Sequence, residues 1–162
     1  MSDVQIIKAP HTLRKAKVGN GPAKLDPDVL KKAENAIVAM EEDFAGWAQQ
    51  DLDTLDAALA RLRTGAETAA ELGEIFRVAL DMKGQGGSFG FRMITRIAGS
   101  LTDFLESRTA IGRLGIEAVA AHIAAMRAIM AQNVRDDGGI TGQALLAELQ
   151  RLTERAAAEK AG

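Results

Sequence analysis

Cysteine and tyrosine do not occur in this chain, proline occurs three times, and aromatic residues make up only 4% of its 162 positions. Without cysteine there is no disulfide framework, no thiolate zinc site and no cysteine nucleophile. Few aromatic residues disfavour pleated sheets and leave little with which to stack bases. No charge of one sign dominates: 20 basic residues face 22 acidic ones, for a formal charge of −2. A protein built to grip nucleic-acid phosphates carries a basic excess, so no nucleic-acid partner is expected. No stretch approaches the roughly 18 uninterrupted apolar residues that cross a bilayer. The opening Met-Ser-Asp-Val-Gln-Ile-Ile-Lys-Ala-Pro-His lacks a secretory pattern, so the expectation is a cytoplasmic protein with no membrane partner. Phosphate-loop and His-Glu-x-x-His patterns are missing as well, and neither a cofactor nor a metal is expected.

What is present favours helices. Hydrophobic residues make up 47% of the chain, many of them alanine. Residues 1–25 stand apart: Lys8, Arg14, Lys15, Lys17 and Lys24 oppose only Asp3, punctuated by Pro10, Gly19, Gly21 and Pro22. They read as a flexible basic arm, either a solvated tail or a contact arm for an acidic partner. The remaining residues, 26–162, hold 15 of the 20 basic and 21 of the 22 acidic side chains, so the folded body is acidic.

Asp26-Pro27 is a helix start, a capping residue followed by proline at the first helical position. Val29, Leu30, Ala33, Ile37, Met40, Phe44 and Trp47 then form one apolar stripe. A second segment opens at Asp51 and runs through Leu52, Leu55, Leu59 and Leu62. A third carries Leu72, Ile75, Ala79 and Met82 up to glycines 84–87, and a fourth Ile94, Ile97, Leu101, Phe104 and Leu105. An alanine-rich fifth holds Ile116, Val119, Ile123, Met126 and Met130, and a last one Leu145, Leu146, Leu149 and Leu152. With no period-two alternation, the pattern predicts an all-α, antiparallel four-helix bundle with shorter accessory helices.

The informative stretch is Arg77 to Gly90. Glycine inside a helix costs roughly 1 kcal/mol relative to alanine, so Gly84, Gly86 and Gly87 mean that the helix stops or that something approaches closely. At about 100° per residue, Leu72, Ile75, Ala79, Met82 and Gly86 share a core arc. Gly73, Arg77, Leu80, Gly84 and Gly87 fall on another arc about 130° away. Leu80 is thus expected off the core, an apolar side chain among small residues and an arginine. That marks a contact surface or a lost polar function, unless it is an incidental exposed leucine.

Ala79-Leu80-Asp81-Met82-Lys83-Gly84 resembles the phosphorylation motif of histidine-containing phosphotransfer (HPt) domains, His-x-φ-Lys-Gly with φ apolar. Met82, Lys83 and Gly84 match the last three positions. The longer Asp81–Gly90 run resembles a bacterial subgroup of the family, as do Ala121–Arg127 and Asp137-Gly138-Gly139, so that the similarity covers most of residues 27–153. The resemblance places the phosphoacceptor histidine at position 80, where this chain has leucine. Leucine offers no nucleophile, and the neighbours do not replace it: Asp81 points elsewhere, Lys83 is protonated, and Ser88, beyond the glycines, lacks a base. No catalytic residue remains. What the resemblance leaves is a docking face of Phe76, Arg77, Leu80, Lys83, Gly84, Gln85 and Gly87 for a response-regulator receiver domain or a histidine kinase. The expectation is a pseudo-phosphotransfer protein of two-component phosphorelay signalling that binds its partner without relaying phosphate.

Two other readings compete. The chain is an active carrier if Leu80 replaces histidine by design. Alternatively it is a purely structural bundle that dimerises through Ala118, Ala121 and Ala125; monomer and weak dimer both remain open. The two histidines do not rescue the chemistry. His122 lies at the flank of its helix, roughly 80° from the stripe, and reads as a satisfied boundary residue. His11 sits in the arm. Asp136-Asp137-Gly138-Gly139 lacks the further ligands of a calcium loop and reads as a helix-ending turn.

Overall fold

The computed structural model describes residues 26–65 and 68–159. The basic arm and His11 lie outside them. Five helices and no strand occur among the described residues: α1 (Pro27–Thr64), α2 (Thr68–Ser88), α3 (Arg92–Leu105), α4 (Arg113–Ala131) and α5 (Gly139–Ala158). The all-α bundle expected from the sequence is the fold. The chain divides into two compact units, residues 1–35 and 36–162. Of the first, residues 26–35 are described: they are solvent-exposed and helical from Pro27, with the Asp28 N–H donating to the Asp26 carboxylate at 3.0 Å. All that follows concerns the second unit, except where the apolar stripe of α1 is compared with expectation.

Two expectations about α1 need correction. No boundary separates a first segment from one opening at Asp51; the helix is continuous. Residues 47–51 contain no proline, and the alanine and glutamines there are good helix formers, so nothing stops propagation. The proposed stripe is also mostly uncovered. Phe44 is buried, but Val29, Leu30, Ile37, Met40 and Trp47 are exposed. Further along, Leu52, Leu55, Leu59 and Leu62 enter the core as predicted.

Helix α2 does not stop at Gly84, Gly86 and Gly87. It runs on to Ser88, so no break precedes that serine, and the real stop signal is Gly90, with φ of +82°. The Phe91 N–H bonds the Gly86 carbonyl at 2.8 Å and the Gly90 N–H bonds that of Gly87 at 3.3 Å, the paired closure of a left-handed helix cap. Gly86 instead serves close packing: a Cβ there would lie 3.0 Å from Thr95 Oγ1 and 3.1 Å from Ile94 Cβ. Helix α3 packs against α2 at that point. Its Ile94, Ile97, Leu101, Phe104 and Leu105 are all buried. Phe44 stacks on Phe89 at 4.6 Å between ring centroids and tilts against Phe91 at 5.3 Å, closing this end of the core.

Helix α4 is long and apolar enough, by length and composition, to cross a membrane. Within this fold its Val119, Ile123 and Met126 are instead packed in the core. Ala118 and Ala125 are buried too and Ala121 half-buried, so the alanine face proposed for dimerisation is already used inside the chain. Asp136 and Asp137 accept hydrogen bonds from the N–H groups of Gly138 and Gly139 at 2.8 and 3.0 Å. This turn opens α5 rather than ending α4, which stops at Ala131. Leu149 of α5 is buried, while Leu145, Leu146 and Leu152 pack against the core half-exposed.

Candidate functional site

The face of α2 follows from its helical period. Leu72, Ile75, Ala79, Met82 and Gly86 are all buried, as the core arc requires. Gly73, Arg77, Leu80, Gly84 and Gly87 are all exposed. Leu80 retains 47% of its surface to solvent in the middle of a well-packed helix. An apolar side chain held outward on a rigid element offers contact area with little further ordering cost.

Around Leu80 the residues divide by angle. Phe76 and Lys83 lie to one side, within about 60° of it; Arg77, Asp81 and Gln85 lie to the other, at roughly 60–140°. Phe76 packs against the core half-buried. Lys83 turns toward α3. Its side-chain carbons pass 3.6–3.8 Å from where a Cβ on Gly99 would sit, and its ammonium stands 3.9 Å from the Asp103 carboxylate. Arg77 pairs with Asp81 one turn along the exposed surface at 3.2 Å. The predicted docking residues thus spread over about 200° of α2, from Lys83 on one side of Leu80 to Gln85 on the other.

Each side opens into a cleft. Toward α1, a cleft of about 420 Å3 is lined by Trp47, Gln50, Asp51, Asp81, Gln85 and Phe89. Burial pushes the Asp51 carboxyl above its ordinary value, the neighbouring Asp81 carboxylate adds to the rise, and Arg77 offsets part of it. Toward α3 and α5, a groove of about 750 Å3 contains Lys83, Arg96 and Arg108 together with Asp103 and Glu154. Arg96 and Arg108 had not been singled out in the sequence, and Trp47 only as the end of an apolar stripe. Asp51 was visible there only as a possible helix start, Arg96 lay on the polar face of a helix valued for its apolar one, and Arg108 lies in the loop that follows that helix.

The three glycines have different surroundings. A Cβ on Gly84 would meet nothing within 4 Å, so no packing inside this chain requires glycine there. On Gly87 it would meet Thr95 Oγ1 at 3.3 Å, and on Gly86 it would collide with α3.

His122 is not at a boundary. It is fully buried, with Nδ1 2.7 Å from the Ala118 carbonyl oxygen and Nε2 3.0 Å from Ser100 Oγ. A carbonyl only accepts, so Nδ1 carries the proton and Nε2 accepts from the serine hydroxyl. Both nitrogens are engaged. Burial holds the ring below its ordinary pKa, the bond to Ala118 opposing the shift. The expectation of a satisfied histidine stands, but at the centre of the fold, where no phosphoryl donor reaches it.

The bundle thus holds Leu80 outward on α2, three positions before Lys83-Gly84. The family model of the Hpt domain matches residues 39–159, and the chain belongs to that family. The match begins later and ends later than the 27–153 inferred from motifs. No curated protein and no solved structure matches the chain. Hpt domains act in histidine phosphotransfer within two-component signalling, where they meet receiver domains and histidine kinases.

Proposed function

We propose that this protein is a pseudo-phosphotransfer member of a bacterial Hpt subgroup. It binds a receiver domain or a histidine kinase in the cytoplasm without carrying phosphate, and so is not an enzyme. The observation that carries the reading is Leu80: an exposed hydrocarbon on the face of α2, three residues before Lys83-Gly84, where the motif resemblance puts the phosphoacceptor imidazole. Transfer needs a nucleophilic nitrogen held open to a receiver's aspartyl phosphate. Leu80 supplies none, and the one described imidazole is sealed inside the fold. Gly84 supports the binding half of the reading. Its missing side chain leaves open space that the chain itself does not use, as a closely approaching partner backbone requires.

The test is calorimetric titration against a panel of purified receiver domains and kinase dimerisation domains. At least one is expected to bind the wild type, and Leu80→Asp is expected to weaken that complex about tenfold or more, since a buried leucine contributes roughly 1.5–3 kcal/mol. A panel with no binder, or binding indifferent to the substitution at 80, would overturn the reading.

The intact surroundings of Leu80 favour one variant of this reading, in which histidine at 80 alone restores transfer. The alternative, of another class, is an active carrier in which leucine replaced histidine by design.

A further inference from the structure

The docking face is electrically lopsided, and the imbalance follows the helical angles of α2. On the α3 side of the Leu80 ridge, the groove brings together Lys83, Arg96 and Arg108. Asp103 and Glu154 share that groove, but the ion pair formed there among the described residues is the long Lys83–Asp103 contact of 3.9 Å. Arg96 forms no ion pair among the described residues. Arg108 is spent on the Phe104 carbonyl and ring, its guanidinium carbon 4.7 Å from the ring centroid. That contact orients the cation without neutralising it. On the α1 side, Asp51 and Asp81 flank a cleft walled by Trp47 and Phe89. Asp51 forms no ion pair among the described residues, and the cation that acts on it, Arg77, is already bound to Asp81.

We propose, resting on the receiver-binding reading above, that the partner lies across α2 in a single orientation. The acidic part of its contact surface covers Lys83, Arg96 and Arg108, and a basic segment covers Asp51 and Asp81, with an apolar patch on Leu80 and Phe76. Reversing the partner by a half turn over Leu80 sets like charges against each other on both flanks. Such juxtaposition is costly, whereas the matched orientation steers encounter. The apolar ridge supplies contact area, and the charges on either side of it select the orientation.

The absence of cysteine makes the test clean, because a single introduced thiol labels one site. Gln50→Cys places a nitroxide at the α1 cleft and Gln150→Cys places one at the α3–α5 groove. The probe is the isotope-labelled receiver domain that binds the wild type in the calorimetric panel. Label at 150 is expected to broaden resonances of the receiver's acidic contact residues, and label at 50 those of its basic ones. Arg96→Glu and Asp81→Lys are each expected to weaken binding about three- to tenfold at low salt, and less at high salt. If both labels broaden the same receiver residues, or the two sets are exchanged, the orientation is overturned while receiver binding stands. If no receiver in the panel binds, the underlying reading falls instead, and the orientation falls with it.

Discussion

Two positions in this molecule invite comparison: residue 80 on α2 and residue 122 on α4. The first is open to solvent and holds a hydrocarbon; the second is closed to solvent and holds an imidazole. A nucleophile needs both the atom and the access, and here they are in different places. At 122 the ring bonds the Ala118 carbonyl and the Ser100 hydroxyl, tying α4 to α3. At 80 the side chain has nothing to bond and everything to touch. Possession of a histidine therefore says little about phosphotransfer until its surroundings are known. A buried imidazole with both nitrogens engaged is part of the architecture.

The largest effect on folding is expected where the contrast is sharpest. His122→Ala removes a buried ring and orphans the Ser100 hydroxyl bond, and should cost about 2–4 kcal/mol in urea unfolding. Leu80→Ala should change stability by less than about 1 kcal/mol; comparable losses at the two sites would erase the distinction between them. Next comes Gly86→Ala, which forces a methyl against Ile94 and Thr95 of α3. Overpacking of that kind costs about 1–3 kcal/mol, readable as a lowered denaturation midpoint.

Acidification gives a smaller effect with a definite sign. His122 titrates below its ordinary 6.5 in the folded chain, so the unfolded chain takes up the proton first as pH falls. Its contribution is complete above about pH 6.5 and is lost as pH drops toward the folded value, by no more than about 1.4 kcal/mol per pH unit. Denaturation at pH 7.5 and 5.0 should show the loss in wild type and a reduced one in His122→Gln. Smallest is Gly84→Ala, which meets no neighbour and should stabilise the isolated chain by about 0.5–1 kcal/mol while weakening receiver binding. A gain in stability with unchanged binding would remove the reason for a glycine at 84.

Much of α2 was legible in sequence, because one helix against one core obeys a simple angular rule. The same rule placed Leu80 outside and Met82 inside. It failed for His122, since α4 contacts more than one neighbour: Ser100 of α3 on one side, and Asp53 and Asp56 of α1 through Arg127 on another. A helix covered from several directions buries its flank as well as its stripe. The rule also failed along α1. Apolar spacing at Ile37, Met40 and Trp47 shows that a face suits cover, but not that this chain supplies it. The glycines misled for a related reason. Gly86 answers to packing against the next helix, α3, whereas the true helix stop at Gly90 answers to local backbone geometry. The flanking clefts were hidden because Asp51, Arg96 and Arg108 come together with α2 only in three dimensions.

Under the proposed reading Leu80 stands where a phosphoacceptor would be, and a phosphotransfer assay addresses that directly. A receiver domain that binds the wild type is phosphorylated with radiolabel and mixed with wild type and with Leu80→His. Wild type should stay at background while the variant, equally folded, takes up acid-labile, base-stable label on residue 80. Label on the wild-type chain, or a folded and receiver-binding Leu80→His that accepts none, would contradict the account.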